Sequence, residues 1–570
     1  MCASSWKYAA FILLTGGALS QNVADTTRLV NISQGTLLGH KDLRHGVYTF
    51  YNIPYATAPT GTDKFKAPLE APVWTDILDA VDRNIICPQA GNYGAMQMQE
   101  DCLVANVFVP DTDESDLPVL VSIHGGAYQY GMGNEVTLNT LLRTKRLIVV
   151  TFNYRLGAHG FLCLGTEVAP GNAGLNDQVA LLRWVKMNIK NFGGNPDEVT
   201  ILGCSAGGGS VDILTLSGIT ANLFKRAIIE SGAAMGTAGV QSQPIANAQN
   251  YARVLKFDNV DDLNALEEFY KTASYDTLVS QHIIISNGTN STLVFAPCVE
   301  RDLGQERVLE DSPINIVRKG KYNKIPILYG YANMEGLMRI EYFQSWKKMM
   351  NENFSDFLPG ELHFENAEEK NRVADLVKEH YFGDQPVSEE NVLSYIDYFT
   401  DVLFAYPMLK LLTERIKSLN DQIYLYEYSF VDENTPSIPH TDVIGANHCD
   451  QSHALVDEEM SSITDEYKKM KSIIQEYWLT FILNGSPSEN GSQLVQWLPA
   501  NQNRTPHMSL GRTIELKNIY INSRAELWDS IYEEYYQGPS PPTGSAQSTL
   551  MKSLNLTIST IFVLIYLFKY

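Results

Sequence analysis

The residues most able to do chemistry are Gly203-Cys204-Ser205-Ala206-Gly207, which follow the short apolar run 199–202 and open a run of small residues. Glycines around a serine permit a tight strand–turn–helix corner that exposes the hydroxyl for attack on a carbonyl. That hydroxyl is a poor nucleophile until a base takes its proton. In this arrangement an acid and then a histidine follow at the ends of later strands. Glu335 follows the run 325–330 in GYANMEG, and His448 follows the run 423–430 in GANHCDQS. Asp397, Asp401 and Asp442 compete with Glu335 as the acid. His440 and His453 flank His448, and spacing alone does not separate them. His124 precedes the serine and suits an oxyanion loop, His159 suits packing, and Cys204 lies beside the apex of the turn rather than at it.

Acyl transfer also needs backbone N–H groups aimed at the developing oxyanion. His124-Gly125-Gly126-Ala127-Tyr128 follows the apolar run 119–123, so Gly126 and Ala127 can supply two donors and Ala206 a third. Competing chemistries fit less well. No Lys-Ser/Thr follows HGGAYQYG, as a phosphate loop requires. No H-x-x-x-H or paired cysteine has metal-ligand spacing. No G-x-G-x-x-G follows the first strand, as a dinucleotide site requires. Neither a cofactor nor a metal is expected.

The elements that must position these residues read as α/β. The runs 119–123, 147–152 and 199–202 are short, continuous and apolar, as in strands buried on both faces of a parallel sheet. Leu175, Val179, Leu182, Val185 and Ile189 recur every three or four residues, which is one face of a long helix, with Asn172 or Asn176 as its cap. Further strands are expected at 227–230, 325–330 and 423–430. Helical insertions (261–278 and 365–377 among them) are expected to cap one end of the sheet. The reading is therefore a large, mostly parallel central sheet with helices on both faces, in one domain spanning 21–540.

Asp plus Glu is 65 against 43 Lys plus Arg, a formal charge of -22. There is no basic footprint for nucleic acid, and adhesion to anionic lipid is disfavoured. Residues 1–20 read as a secretory signal peptide, with Lys7, an apolar run and small Ala18 and Ser20. Residues 541–570 join a small-residue site and polar spacer to an apolar tail of about 15 residues, short of the about 20 a span needs. That pattern matches a lipid-anchor signal removed with its tail; a short span and an unprocessed tail are the competing readings. A secreted or outer-surface location gives meaning to the sequons at Asn31, Asn287, Asn290, Asn353, Asn484, Asn490 and Asn503.

FYNIPYATAP, EDCLVANVFVP, VSIHGGAYQYG, FNYRLGAHGFL, the stretch from GNAGLNDQ to GCSAGGGSV, LFKRAIIESG, GYANMEG and GANHCDQ together resemble the type-B carboxylesterase and cholinesterase family, most like an insect carboxylesterase. The resemblance runs from about residue 25 to about 535. It implies an α/β-hydrolase fold, a gorge leading to the serine, Ser205, Glu335 and His448 as triad, and Gly126, Ala127 and Ala206 as oxyanion hole. It also implies a bridge between Cys87 and Cys102, leaving Cys163, Cys204, Cys298 and Cys449 free. Cys204 stands where the family usually has Glu or Gln, and Gln451 where it commonly has an acid; relative to members with Glu at both, negative charge near His448 is lost, and both positions are expected to modulate the site. The 87–102 loop has no Trp to hold a choline cation. The expected activity is cofactor-free hydrolysis of uncharged carboxylic esters of xenobiotic, pheromone or hormone type. A non-catalytic surface recognition protein and a slow-turnover ester scavenger on the same fold are the alternatives.

Overall fold

The computed structural model describes residues 26–134, 138–236, 238–282, 292–456, 463–518 and 523–543. The expected signal peptide, the tail beyond 543 and the sequons at Asn287 and Asn290 lie outside these residues. Among the described residues no helix is long and apolar enough to cross a membrane.

Thirteen strands form one sheet. They are β1 (Thr27–Ile32), β2 (Gly35–Asp42), β3 (Val47–Pro54), β4 (Leu78–Asp79), β5 (Val104–Pro110), β6 (Leu117–Ile123), β7 (Ile148–Phe152), β8 (Gly194–Cys204), β9 (Arg226–Glu230), β10 (Ile327–Ala332), β11 (Ile423–Tyr428), β12 (His507–Leu510) and β13 (Ile514–Lys517). Their order is β1-β2-β3-β5-β7-β6-β8-β9-β10-β11-β12-β13, with β4 beside β2. From β7 to β12 every pairing is parallel. β1, β2, β3 and β5 pair antiparallel at one edge, and β13 closes the other edge antiparallel to β12.

The continuous apolar runs are explained by two hydrophobic layers. Val119, Val121, Ile201, Ile229 and Tyr329 point into one layer. Their strand neighbours Leu120, Leu202, Ile228 and Leu328 point into the other. Two helices, α1 (Ala173–Asn188) and α2 (Ala206–Leu216), fill the first layer, while α3 (Asp465–Asn484) sends Ile474, Trp478 and Phe481 into the second. Period-two alternation puts successive side chains on opposite faces, so a sheet covered on both sides reads as unbroken apolar sequence.

Asn172 is the residue before α1, but its side chain does not cap the helix. It donates instead to the Cys298 carbonyl (2.8 Å) and to Glu300 (2.9 Å), tying the helix start to a distant loop. The helical insertions fall after β9 and after β10, as expected. One contains a single π-helical turn, Asp401–Ala405.

Sheet order fixes the position of the site. The chain places β7 on one side of β6 and β8 on the other. Loops leaving the ends of β6 and β8 therefore diverge and open a crevice there. Gly203 sits in register with Ile123, so the loops bearing His124–Tyr128 and Ser205 leave at one level. Ala332 is likewise level with Tyr428, so Glu335 and the segment leading to His448 leave the same edge.

Candidate active site

Ser205 directly follows β8 with φ 60° and ψ -127° and precedes α2. The turn closes only because its neighbours lack side chains. A Cβ on Gly203 would lie 2.4 Å from the Gly207 carbonyl carbon, and one on Gly207 would lie 2.1 Å from the Ile123 oxygen. The Ser205 N–H donates to the Glu230 carbonyl at the end of β9 (3.0 Å), which anchors the corner. Its φ/ψ is a strained conformation held by the surrounding packing.

Glu335 is completely buried just after β10. One carboxylate oxygen accepts the Ala332 N–H (2.7 Å), and the other hydrogen-bonds His448 Nδ1. This fixes the imidazole so that Nε2 is the remaining acceptor. Nε2 is buried and has no hydrogen-bond partner among the described residues. The ring packs on Phe404 of the π turn, with centroids 4.4 Å apart. Ser205 and His448 line one cavity of about 320 Å³, with Ala127, Ala206, Leu293, Met338, Arg339, Leu403 and Phe404 among its walls. A larger cavity of about 960 Å³ lies elsewhere and touches none of the three residues Ser205, Glu335 and His448.

The loop after β6 lies against the serine. A Cβ on Gly125 would sit 2.9 Å from the Cys204 oxygen and 3.2 Å from the Ser205 Cβ. Ala127 and Tyr128 both have positive φ (53° and 61°), and Gly126 has φ 105°. Among the described residues no hydrogen bond takes the N–H of Gly126, Ala127 or Ala206. Three donors are thus unspent beside the serine, with Ala127 and Ala206 in the cavity wall.

The other candidate acids and histidines are engaged elsewhere or exposed. Asp401 is bound to Tyr381 and Arg524, Asp397 pairs with Arg524, and Asp442 is exposed. His440 contacts Gln344 at the surface, and His453 is exposed beside Asp450. His124 stacks on Tyr154 and bonds the Gly125 carbonyl through Nδ1 (2.8 Å). Burial drives its pKa down to about 4, so it is a neutral part of the loop after β6. His159 is buried 3.7 Å from Glu100. No cluster of potential metal ligands occurs among the described residues.

Residues 26–528 match the family model described as the carboxylesterase family. The chain belongs to the carboxylesterase family. It is 30% identical to a carboxylic ester hydrolase of Bombus ignitus over 88% of this chain and 94% of that protein. It is 32% identical to a juvenile hormone esterase of Heliothis virescens over 86% of this chain and 92% of the relative. The crystal structure of juvenile hormone esterase from Manduca sexta, with OTFP covalently attached, superposes with a TM-score of 0.78 at 27% identity, covering 89% of this chain and all of that one. The carboxylesterase is accordingly a hydrolase of carboxylic esters on the α/β-hydrolase fold.

The cysteines require a correction. Cys87–Cys102 is bridged as expected, but the four cysteines expected to be free are paired as Cys163–Cys298 and Cys204–Cys449. Partners 135 and 245 residues apart meet only because strand order brings loop ends together. Connectivity of that kind is not readable from spacing. Cys204 is therefore not a thiol nucleophile, and as a half-cystine it carries no charge at that position. It ties the residue before Ser205 to the residue after His448. Gln451 is buried and donates to Ser231 Oγ (2.7 Å).

Sequence reading also missed Glu230. It lies completely buried behind the serine and accepts from Ser452, from Trp478 Nε1 (2.9 Å) and from Tyr426 (3.3 Å). Burial pushes its carboxyl up to about 7 against these donors. The only signal was an acid ending the apolar strand AIIE.

Proposed function

We propose that Ser205, His448 and Glu335 are the catalytic triad of this carboxylesterase and that Gly126, Ala127 and Ala206 bind its oxyanion. The observation that carries the reading is His448 held by Glu335 through Nδ1, with its buried Nε2 unpaired in a residue that shares one cavity with Ser205. His448 takes the Ser205 proton as Oγ attacks the ester carbonyl. The tetrahedral oxyanion is received by the three N–H groups, and His448 then protonates the departing alcohol. Water repeats the sequence on the acyl-enzyme and regenerates Ser205. Glu335 orients the ring and stabilises imidazolium. No step calls for a cofactor.

The test is steady-state hydrolysis of 4-nitrophenyl esters from acetate to long acyl chains, beside the S205A protein. Turnover that vanishes in S205A is expected. A stoichiometric burst without turnover would convert the reading to an ester scavenger, and no reaction at all to a recognition protein.

The exposed sequons at Asn31, Asn353, Asn484, Asn490 and Asn503 support a glycosylated protein outside the cell. The small-residue site and apolar tail support a lipid anchor there. Release of activity from intact cells by a phosphatidylinositol-specific phospholipase tests the anchor.

A further inference from the structure

Arg339 lies four residues beyond Glu335 in the short 3-10 segment Glu335–Tyr342 and lines the same cavity as Ser205 and His448. It is 5% exposed, yet no described residue makes a hydrogen bond or an ion pair with its guanidinium. Its backbone carbonyl accepts from Tyr395 (2.9 Å). The charged or titratable groups acting on it are Tyr342, Tyr395, Glu341 and Tyr130. Only Glu341 among them is a carboxylate, and it is exposed and forms no ion pair with Arg339. Burial presses the guanidinium toward its neutral form, but arginine keeps its charge at neutral pH.

A buried cation with no carboxylate bonded to it is costly. The other buried arginines among the described residues avoid that cost: Arg155 is bidentate on Asp177, Arg226 pairs with Glu198, Arg415 with Asp212 and Arg504 with Asp529. Arg339 differs from them in facing the substrate cavity. Water there can serve its N–H groups in the free enzyme. A substrate that displaces this water must bring acceptors of its own or lose affinity. The rest of the wall is mixed: Leu293, Met338, Leu403 and Phe404 stand beside Tyr130, Tyr342, Asn447 and the Glu341 carboxylate, and Arg339 is the one arginine or lysine among the described lining residues, so its fork is the fixed cationic donor set there.

Resting on the triad assigned above, we infer that Arg339 is a specificity-determining residue that binds an anionic group, a carboxylate in the first instance, carried by the ester at a distance from its neutral reacting carbonyl. The guanidinium fork matches a carboxylate bidentately, which adds direction as well as energy.

The experiment compares matched ester pairs. The 4-nitrophenyl monoester of adipic acid is set against 4-nitrophenyl heptanoate, placing the charge on the acyl side. 4-Acetoxybenzoate is set against phenyl acetate, placing it on the alcohol side. The parent enzyme is expected to favour at least one anionic member in kcat/KM. R339Q should lower that anionic-to-neutral ratio by about tenfold or more, chiefly through KM, the size of one charge-assisted hydrogen bond. R339K should restore part of it. Free adipate or benzoate should inhibit the parent competitively and R339Q much less. A ratio unchanged by R339Q, or anionic esters poorer than both neutral partners in the parent, overturns the inference. Loss of all turnover, including on the neutral esters in the parent, refutes the triad reading instead.

Discussion

At the scale of single residues, the site depends on one hydrogen bond that sets a tautomer. Glu335 is fully buried and uses one oxygen on the Ala332 N–H and the other on His448 Nδ1. An amide in its place can present an N–H to the imidazole and favour the wrong tautomer, leaving Nε2 unable to accept the serine proton. E335Q is therefore expected to lower kcat by roughly 10³–10⁴-fold, the scale seen when a triad acid becomes its amide. KM should change little and the far-ultraviolet spectrum not at all. A kcat within tenfold of the parent would remove Glu335 from the machinery. The proposed triad of Ser205, Glu335 and His448 could be put forward from sequence because each follows a recognisable strand and their order along the chain is a constraint. Arg339 and Glu230 were not, because a charged residue shows its lack of partners, or its burial, only when distant segments are in place.

At the scale of elements, the loop bearing His448 is a long excursion from β11; beyond the bonds of Ala446 and His448 to the segment after β10, three ties on the far side of His448 hold it to β8 and β9. Cys449 is bonded to Cys204 at the end of β8, Gln451 to Ser231, and Ser452 to Glu230. Cys449 itself has φ 65°, a left-handed conformation that costs a non-glycine residue roughly 1–2 kcal/mol. The bridge sets the Cα atoms of Cys204 and Cys449 6.1 Å apart, and Ser205 and His448 are their immediate chain neighbours. Removing it in C204A/C449A should leave the loop near its place through the remaining polar ties but less sharply positioned. A misplacement approaching 1 Å costs up to about 100-fold; we expect kcat to fall by roughly tenfold, with KM nearly unchanged. Stability should fall as well. The bridge closes a 245-residue separation, and loop-closure entropy scales with that length, so the loss should exceed the roughly 3 kcal/mol expected for the 15-residue Cys87–Cys102 loop. The checks are kcat on a nitrophenyl ester and urea midpoints of C204A/C449A and C87A/C102A. Full activity in the first double variant would show that the polar ties alone position the base. The parallel strands that carry these loops were readable as apolar runs. The antiparallel edge β1–β3 was not: there intermediate or exposed side chains break up the buried positions, and the apolar signal is diluted.

At the scale of the whole molecule, the chain carries a formal charge of -22 and also buries several acids without full compensation. Glu230, Glu300 and Asp401 each have their carboxyl raised to about 7, with burial as the largest cause. In the unfolded chain such groups ionise near roughly 4. Between that value and about 7 the folded protein therefore holds protons that the unfolded chain has released. Stability from these groups is fully present below the unfolded value and is lost as pH rises through 7. Exposed Glu389 has the opposite sign: Lys347 is the largest cause lowering it to about 2, and its contribution is lost only in strong acid. General repulsion among the excess acids also grows with pH, so a decline in stability from pH 5 to 8 does not by itself identify the buried groups. E230Q separates the two. It keeps an acceptor for Trp478 and Tyr426, removes one titrating proton and leaves the other buried acids and the surface charge in place. Urea midpoints of the parent and E230Q, measured across pH 5 to 8, should both fall, but with a shallower slope in E230Q. Slopes that coincide would mean that Glu230 is ionised in the folded state throughout, and the negative charge behind Ser205 would then be permanent rather than set by pH.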